Sequence, residues 1–524
     1  MDTHMSKDYK QDGYSRREFC KLGVGVLGTA ALLGWGVPLS SAATFANDEL
    51  IYMSAAELIP LFKSRKLSPV EVLKAQMARF KEVNEAVNCI TYTHFYTALK
   101  QAKESEKRYK NGTARELEGI TVGIKDEHHD AGWIVTQGSK LFKSDQKDHA
   151  DTTVSKLKAA GAVLSIQTTV PEFYLNGVTW TDLWGVTRCP WNLKYAVGGS
   201  SGGSGGALAA GLCTLATGSD MGGSVRLPCA YNGLYGFKPP FGRVHSDLPL
   251  SYFSGTGPMA RTFDDMVMMQ NAISGQATYG PSTLPKLEMP LDYRGIKGMR
   301  IAYSPGLGLT PLDENTQEGM AKATDVLRDL GAVVEEVSID PGFTVEEVIE
   351  IFSKGALSGA MGGMLAKMAD RINEMTTYAA HFVKKAASGE YNNAALFEYE
   401  LKVKDFHARI ADAVFEKGFD ALLMPTLATP HVPADFDFTK DNYMLGEKEL
   451  PGSFIMALTV PWNILNWYPV VNVPTVLSPQ GMPMGMQIVG KPYDDKKVFQ
   501  IAHSYDAAAP RLFTGDRLPD FRKE

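Results

Sequence analysis

One stretch, residues 197–239, constrains the fold of this chain more than any other. It reads VGGSSGGSGGALAAGLCTLATGSDMGGSVRLPCAYNGLYGFKP, with ten glycines between positions 198 and 223 and five serines between positions 200 and 224. Each glycine loses backbone entropy on folding, so an ordinary core helix or strand does not contain them at this density. The glycines form two clusters around the apolar segment ALAAGLCTLATG. This pattern predicts a turn, a buried helix, a strand and a second turn that carries Ser224.

Three other interpretations of this stretch explain less of it. A flexible Gly/Ser linker does not enclose an apolar segment. A phosphate-binding P-loop requires Gly-Lys-Ser/Thr after the glycines, and neither cluster has it. Residues 199–203 fit the G-x-S-x-G pattern of a nucleophile elbow, but a segment this rich in glycine and serine matches that pattern almost automatically.

Four motifs resemble those of the amidase signature family. They are GGSSGGS at 198–204, DMGGSVRLP at 220–228, GFKP at 236–239 and the strand-like GITVGIKD at 119–126. The resemblance extends from about Met53 to Ala509. It implies an α/β fold with one catalytic domain, residues 44–524, in which a large mixed β-sheet is surrounded by helices. The helical residues 344–417 are expected to form a cap over the site.

The resemblance also implies a mechanism. Ser224 corresponds to the nucleophile, Ser200 (after a cis peptide) to the proton relay, and Lys125 to the terminal base. The implied function is a serine hydrolase that cleaves a carboxylic amide C–N bond through an acyl-serine intermediate, and the N-terminal SRREFCK at 15–21 indicates that it is exported. A carbamate or aryl ester hydrolase with the same residues, and a catalytically silent binding protein on the same scaffold, remain alternatives. Glutaminase-like subunits of tRNA amidotransferases share the motifs, but an exported chain is poorly placed for their work.

The proposed base must lose its proton to act. A free lysine is protonated at neutral pH, so Lys125 needs an environment that lowers its pKa. Burial at the end of the apolar strand 120–124 provides one. Asp126 would oppose that effect, but alternation along a strand allows it to point away. His128 and His129 are the alternative bases if Lys125 is structural.

The turn around Ser224 is predicted to bind the oxyanion through backbone N–H groups, because glycines let successive donors converge. The predicted donors are Met221, Gly222, Gly223 and Ser224. Three further side chains are predicted to support the site without touching the substrate: Ser201, Asp220 and Arg226.

The N-terminal residues 1–43 are predicted to be a signal peptide. SRREFCK at 15–21 precedes an apolar, glycine-rich run, which is typical of a twin-arginine export signal. The mature protein is therefore expected in a periplasm or outside the cell, without stable membrane insertion.

The net charge of −6 gives no basic footprint for nucleic acid. No C-x-x-C or H-E-x-x-H motif occurs, so neither a metal nor another cofactor is predicted. The expected partner is a small amide substrate, and a homodimer is left open. Cys213 and Cys229 are expected to be buried free thiols.

Two features bear on the substrate pocket. Met361, Met364 and Met368 have a spacing typical of a packing stripe, with an adaptable pocket as the alternative. The bulky residues 463–468, NILNWY, argue against a pocket for a small substrate.

Overall fold

The computed structural model describes residues 47–246 and 252–521. The predicted signal peptide lies outside the described residues. Within these two ranges, no helix combines the length and the apolar character that crossing a membrane requires.

Eleven strands form one mixed sheet in the order β1-β3-β2-β8-β10-β9-β16-β17-β13-β11-β12, and the other strands form two-stranded ribbons. In chain order the strands are β1 (Ile90–Thr93), β2 (Thr121–Lys125), β3 (Val163–Thr168), β4 (Trp180–Thr181), β5 (Gly185–Val186), β6 (Arg188–Cys189), β7 (Asn192–Ala196), β8 (Leu215–Asp220), β9 (Tyr235–Lys238), β10 (Gly255–Ala260), β11 (Arg300–Tyr303), β12 (Val333–Glu336), β13 (Ala421–Pro425), β14 (Tyr443–Leu445), β15 (Lys448–Leu450), β16 (Val470–Leu477) and β17 (Pro483–Val489).

Helices cover the sheet, which confirms the predicted α/β architecture. Their bounds are Asn47–Tyr52, Ala55–Lys63, Pro69–Val87, Phe95–Lys110, Thr152–Ala160, Gly202–Ala209, Arg226–Asn232, Phe263–Ile273, Glu314–Asp329, Val345–Leu357, Ala360–Ala366, Thr377–Ala387, Asn393–Ile410, Pro461–Ile464 and Asp495–Ala508.

Both faces of the sheet are buried along β13. Along β13, Leu422 and Met424 belong to one apolar cluster, whereas Ala421 and Leu423 belong to a second cluster. Because successive side chains of a strand point to opposite faces, the two clusters lie on opposite sides of the sheet. This explains why β13 is an uninterrupted apolar run rather than an alternating one.

The site is positioned by three neighbouring parallel strands. β2 pairs in parallel with both β3 and β8, so all three strands end at the same edge of the sheet. Lys125 is the last residue of β2 and Asp220 is the last residue of β8. Loops beyond the carboxyl ends of parallel strands are where open α/β sheets bind their ligands.

Candidate active site

Lys125 lies fully buried at this edge of the sheet. Its backbone N–H donates to Thr217 Oγ1 on the adjacent strand at 2.9 Å, which fixes where the side chain starts. Its Nζ donates to Ser200 Oγ at 2.9 Å and to Ser219 Oγ at 2.7 Å. The structure therefore brings two of the predicted catalytic residues, Lys125 and Ser200, into direct contact.

The two serine loops meet beside this lysine. The peptide bond between Gly199 and Ser200 is cis. The backbone N–H of Ser201 donates to the Ser224 carbonyl at 3.3 Å, and the Ser201 hydroxyl accepts a hydrogen bond from the Ser219 N–H at 3.3 Å. Ser200 and Ser224 line the same cavity. In the described part of the chain the Ser224 hydroxyl makes no hydrogen bond, so it is available to a ligand.

In the turn that ends at Ser224, three of the four backbone N–H groups predicted to bind the oxyanion have no hydrogen-bond partner among the described residues. Within the described ranges, the backbone N–H groups of Met221, Gly222 and Ser224 make no hydrogen bond. The prediction for Gly223 is wrong, because its N–H donates to the Asp220 carboxylate at 2.8 Å. Gly223 instead shapes the turn: its φ is +117°, and a Cβ there would collide with the side chain of Thr459.

A buried ion pair braces this turn. Arg226 Nε and Nη2 each donate to Asp220 at 2.9 Å, and both side chains are fully buried. Burial alone would raise the pKa of Asp220, but the Arg226 guanidinium and the Asn463 amide outweigh it and hold that pKa well below its ordinary value. Asp220 and Arg226 therefore support the turn, as predicted for their positions, and neither lines the cavity.

The acidic neighbour of the lysine is Glu127. Asp126 points away from the lysine, as alternation along a strand allows, and accepts a hydrogen bond from the backbone N–H of Thr136 at 3.0 Å. The chain turns directly after β2, with the His128 N–H donating to the Lys125 carbonyl, and this turn brings Glu127 Oε2 to 3.1 Å from Lys125 Nζ.

Neither Glu127 nor Ser219 was identified from the sequence. Each lies one residue outside a motif, Glu127 after 119–126 and Ser219 before 220–228, and their contacts depend on a turn geometry that residue types alone do not specify. Ser219 precedes the predicted Asp220 by one residue and donates to Glu127 Oε2 at 2.5 Å. Burial lowers the pKa of Lys125, and Glu127 opposes this without reversing it.

The two alternative bases, His128 and His129, both contact the Asp151 carboxylate. His128 Nδ1 lies 3.1 Å from Asp151 Oδ2, and the His129 backbone N–H donates to the same carboxylate at 2.8 Å. Asp151 is the N-cap of the helix Thr152–Ala160. Neither histidine lines the cavity that contains Ser224.

That cavity has a volume of about 350 Å³. One wall comes from the predicted cap region, which contains the helices Val345–Leu357 and Ala360–Ala366. Most lining side chains are apolar, among them Phe142, Phe173, Phe352, Leu357, Leu365 and Phe382. Met361, Met364 and Met368 also line it, and Met361 and Met368 pack on a neighbouring apolar cluster as well. The methionines therefore form both a packing stripe and a pocket wall.

The bulky residues 463–468 do not line the cavity, which corrects the inference drawn from them. Asn463 donates to the backbone and side chain of Asp220 at 3.0 and 2.9 Å. Asn466 Oδ1 accepts a hydrogen bond from the buried Lys238 at 2.7 Å. Residues 463–468 therefore support the catalytic turn from outside the cavity. Their bulk does not limit the size of the substrate.

Metal ligation and thiol chemistry find no support in the described ranges. They contain no group of three or more His, Cys, Asp or Glu side chains that could hold a metal ion. Cys89, Cys189, Cys213 and Cys229 are free and buried, as expected for Cys213 and Cys229.

Comparison with known proteins places these observations in a family. The model of the family described as Amidase matches residues 71–499. A glutamyl-tRNA(Gln) amidotransferase subunit of Carboxydothermus hydrogenoformans is 31% identical over 498 residues, which cover 87% of this chain and 97% of that protein. The corresponding protein of Staphylococcus aureus is 31% identical over 487 residues, covering 87% of this chain and 97% of that protein.

Solved structures agree with the fold. A bacterial aryl acylamidase of the amidase signature family superposes with a TM-score of 0.79 at 26% identity, covering 88% of this chain and 96% of that one. A 6-aminohexanoate cyclic dimer hydrolase gives a TM-score of 0.77 at 24% identity, covering 90% and 99% of the two chains, and shows the fold alone. The motifs, the eleven-stranded sheet and these matches agree, and the chain belongs to the amidase family.

Proposed function

We propose that this chain hydrolyses a carboxylic amide that carries a bulky apolar group, through an acyl-Ser224 intermediate. The single observation that carries the proposal is that Ser224 and Ser200 line the same apolar cavity, with Lys125 Nζ 2.9 Å from Ser200 Oγ. A serine hydroxyl needs a neighbouring base to become a nucleophile, and this arrangement supplies one.

The proposed step moves one proton through two side chains. Ser224 Oγ attacks the amide carbon while its proton passes to Ser200 Oγ, and the Ser200 proton passes to the neutral amine of Lys125. Hydrogen bonds of this kind tighten when substrate is bound, so the open Ser224 hydroxyl of the free protein is compatible with the relay. We assign the N–H groups of Met221, Gly222 and Ser224, which line the cavity and have no hydrogen-bond partner in the described ranges, as the donors for the oxyanion. The resulting ammonium then protonates the leaving amine as the C–N bond breaks, and water afterwards hydrolyses the acyl-Ser224 ester.

The residues that line the cavity favour an apolar amide over free glutamine as the substrate. Glutamine is a zwitterion at neutral pH, and its charges need polar partners. Of the charged side chains on the cavity wall, Glu127 contacts Lys125, and Lys367 is exposed to solvent. Aromatic and methionine side chains instead suit an aryl or alkyl group. We propose that residues 344–417, whose helices supply one wall, select that group.

Amide transfer is the second candidate, and the similarity to subunits of glutamyl-tRNA(Gln) amidotransferases favours it. A substrate series separates the two. Anilides with acyl chains of increasing length should show kcat/KM rising about fourfold for each methylene buried, from about 0.8 kcal/mol per CH₂, until the cavity is full. Esters and carbamates with the same acyl groups as the anilides show which type of bond the protein cleaves fastest. Glutamine hydrolysis that exceeds anilide hydrolysis would contradict the proposal.

The nucleophile is tested by labelling with a fluorophosphonate and mapping the modified peptide. Ser224→Ala should abolish both turnover and labelling. Ser478→Ala is a demanding control, because Ser478 Oγ lies 3.1 Å from His431 Nε2, and His431 Nδ1 lies 3.4 Å from Asp313. This Ser-His-Asp arrangement does not border the cavity, so Ser478→Ala should label normally. A label on Ser478 would contradict the assignment of Ser224.

We further propose that the protein is exported to a periplasm or beyond the cell. The support is the paired Arg16-Arg17 ahead of an apolar run. Replacing both with lysine keeps the charge but removes the paired-arginine address, so the precursor should accumulate in the cytoplasm. Unchanged export in a fractionation experiment would refute this proposal.

A further inference from the structure

Glu127 is the acidic side chain among the residues that line the cavity. It remains 18% exposed, whereas Lys125 beside it is fully buried. Its Oε2 lies 3.1 Å from Lys125 Nζ and accepts a hydrogen bond from Ser219 Oγ at 2.5 Å. Lys125 Nζ in turn faces Ser200 Oγ, Ser219 Oγ and Glu127, one oxygen for each of the three protons of an ammonium group.

We propose that Glu127 is a positioning residue that acts through Lys125: it holds the ammonium between Ser200 and Ser219 in the resting protein, and thereby sets the pH above which the neutral amine becomes available. This inference rests on the proposed function, in which Lys125 is the base. Glu127 is a fourth group beside Lys125, Ser200 and Ser224, and it lies outside the motifs that identified those three.

The charges around the lysine act in opposite directions. Burial lowers the pKa of Lys125, whereas Glu127 and, at longer range, Asp220 on β8 raise it. The ring of Tyr174 lies over Nζ at 5.0 Å and carries no charge, since burial and the nearby carboxylates raise the pKa of its hydroxyl. Asp126 is turned toward Thr136.

Glu127 itself stays ionised. Burial would raise the pKa of Glu127, but Lys125, His128 and the Ser219 hydroxyl together keep it below its ordinary value. Lys125 and His128 are thus the positively charged or titratable groups that lower the pKa of Glu127. Tyr174 is the neutral group beside Glu127. At neutral pH the carboxylate therefore faces the lysine as an anion.

Two effects on acylation follow. An opposite charge within about 4–6 Å moves a pKa by about 1–3 units toward the charged form, so removing the carboxylate should move the acylation midpoint to lower pH. The same carboxylate stabilises the ammonium that forms when the Ser224 proton reaches Nζ. Its removal should therefore also reduce the rate at the high-pH plateau, because a weaker base accepts the proton less readily.

The test is the single-turnover acylation rate against pH, measured with an anilide whose amine is released on acylation. Glu127→Gln keeps the shape and an acceptor for Ser219 but removes the charge. Its midpoint should lie at least about one pH unit below that of the wild type. Asp126→Asn is the matched control, since it removes the adjacent carboxylate that points away, and its midpoint should stay at the wild-type value. Glu127→Asp keeps the charge, and its midpoint should stay near the wild-type value. Glu127→Ala also removes the charge and replaces Glu127→Gln if that variant does not fold.

An unchanged or higher midpoint in Glu127→Gln would overturn the inference. The inference would also be overturned if the only change in Glu127→Gln were a higher KM for cationic substrates, since that result would make Glu127 a substrate-binding group. These results are distinct from failure of the proposed function, which would appear as covalent labelling that persists in Ser224→Ala.

Discussion

Replacing Arg226 with methionine tests how strongly the catalytic turn depends on its buried ion pair. The guanidinium makes two hydrogen bonds to Asp220 and three more, to the Thr459 carbonyl, Gln487 and Asn463, at 2.6–2.9 Å. Methionine fills similar space but leaves the Asp220 carboxylate buried without its counter-charge. Breaking such a pair costs about 3–5 kcal/mol, a large share of the about 5–15 kcal/mol that stabilises a typical domain.

The pH dependence of this loss has a definite sign. In the wild type the pKa of Asp220 is depressed, so its contribution to stability is present above its ordinary pKa and is lost as the pH falls through the depressed value. Without Arg226, burial dominates and raises that pKa above its ordinary value, which favours the protonated acid in the folded state. The stability difference between wild type and Arg226→Met should therefore shrink as the pH falls from about 7 toward about 4.

Equilibrium urea unfolding at several pH values measures both quantities. The double variant Asp220→Asn/Arg226→Met should recover part of the loss, because it removes the unpaired charge. Arg371→Met is the control: Arg371 pairs with Glu374 on the surface, at about half exposure for each side chain, and its loss should leave the urea midpoint unchanged. A loss below about 1 kcal/mol in Arg226→Met, independent of pH, would refute the reasoning.

Three further predictions concern the cavity, the turn and the thiols. Met361→Trp should narrow the cavity and reduce kcat/KM at least about tenfold for the longest anilide while sparing the shortest, and equal losses across the series would contradict this. Gly223→Ala should lower the thermal midpoint far more than Gly222→Ala, because only the former combines a positive φ with a collision against Thr459; the two midpoints compared directly decide it. Burial raises the pKa of the Cys89 thiol and of Cys189 and Cys213, so the native protein should resist a thiol reagent until it is unfolded, and rapid reaction under native conditions would count against their burial.

Local sequence signals predicted the framework well. A serine followed three residues later by a glutamate indicates the start of a helix, and Ser54 and Ser68, which each have such a glutamate, both form a capping box. The glycine-rich stretch folds as predicted into a turn, the helix Gly202–Ala209, the strand β8 and the turn with Ser224. Capping and turn formation depend on residues close together in the chain, which is why the residue types suffice.

The parts that were missed depend on three-dimensional geometry. Which N–H of consecutive glycines points at a ligand depends on the turn, and the Asp220 carboxylate occupies that of Gly223. The contact of Glu127 with Lys125 depends on how the chain turns after β2. Asn463 reaches Asp220 from 243 positions away in the chain, and no local pattern shows this. Residue types in the motifs identify the candidate catalytic residues. Long-range packing determines which other side chains contact those residues and change their properties.

The most direct test of the central claim is single-turnover acylation from about pH 5 to about pH 10, which brackets a lowered lysine pKa, for the wild type and Lys125→Ala. The burial that lowers the pKa of Lys125 predicts a wild-type rate that rises with pH and then levels off. Lys125→Ala should lose about 10²–10⁴-fold in rate and lack this pH dependence, because proton abstraction is removed. Arginine should not restore it, since a guanidinium cannot accept the proton. Similar rates and the same profile in both proteins would contradict the claim and return attention to His128 and His129.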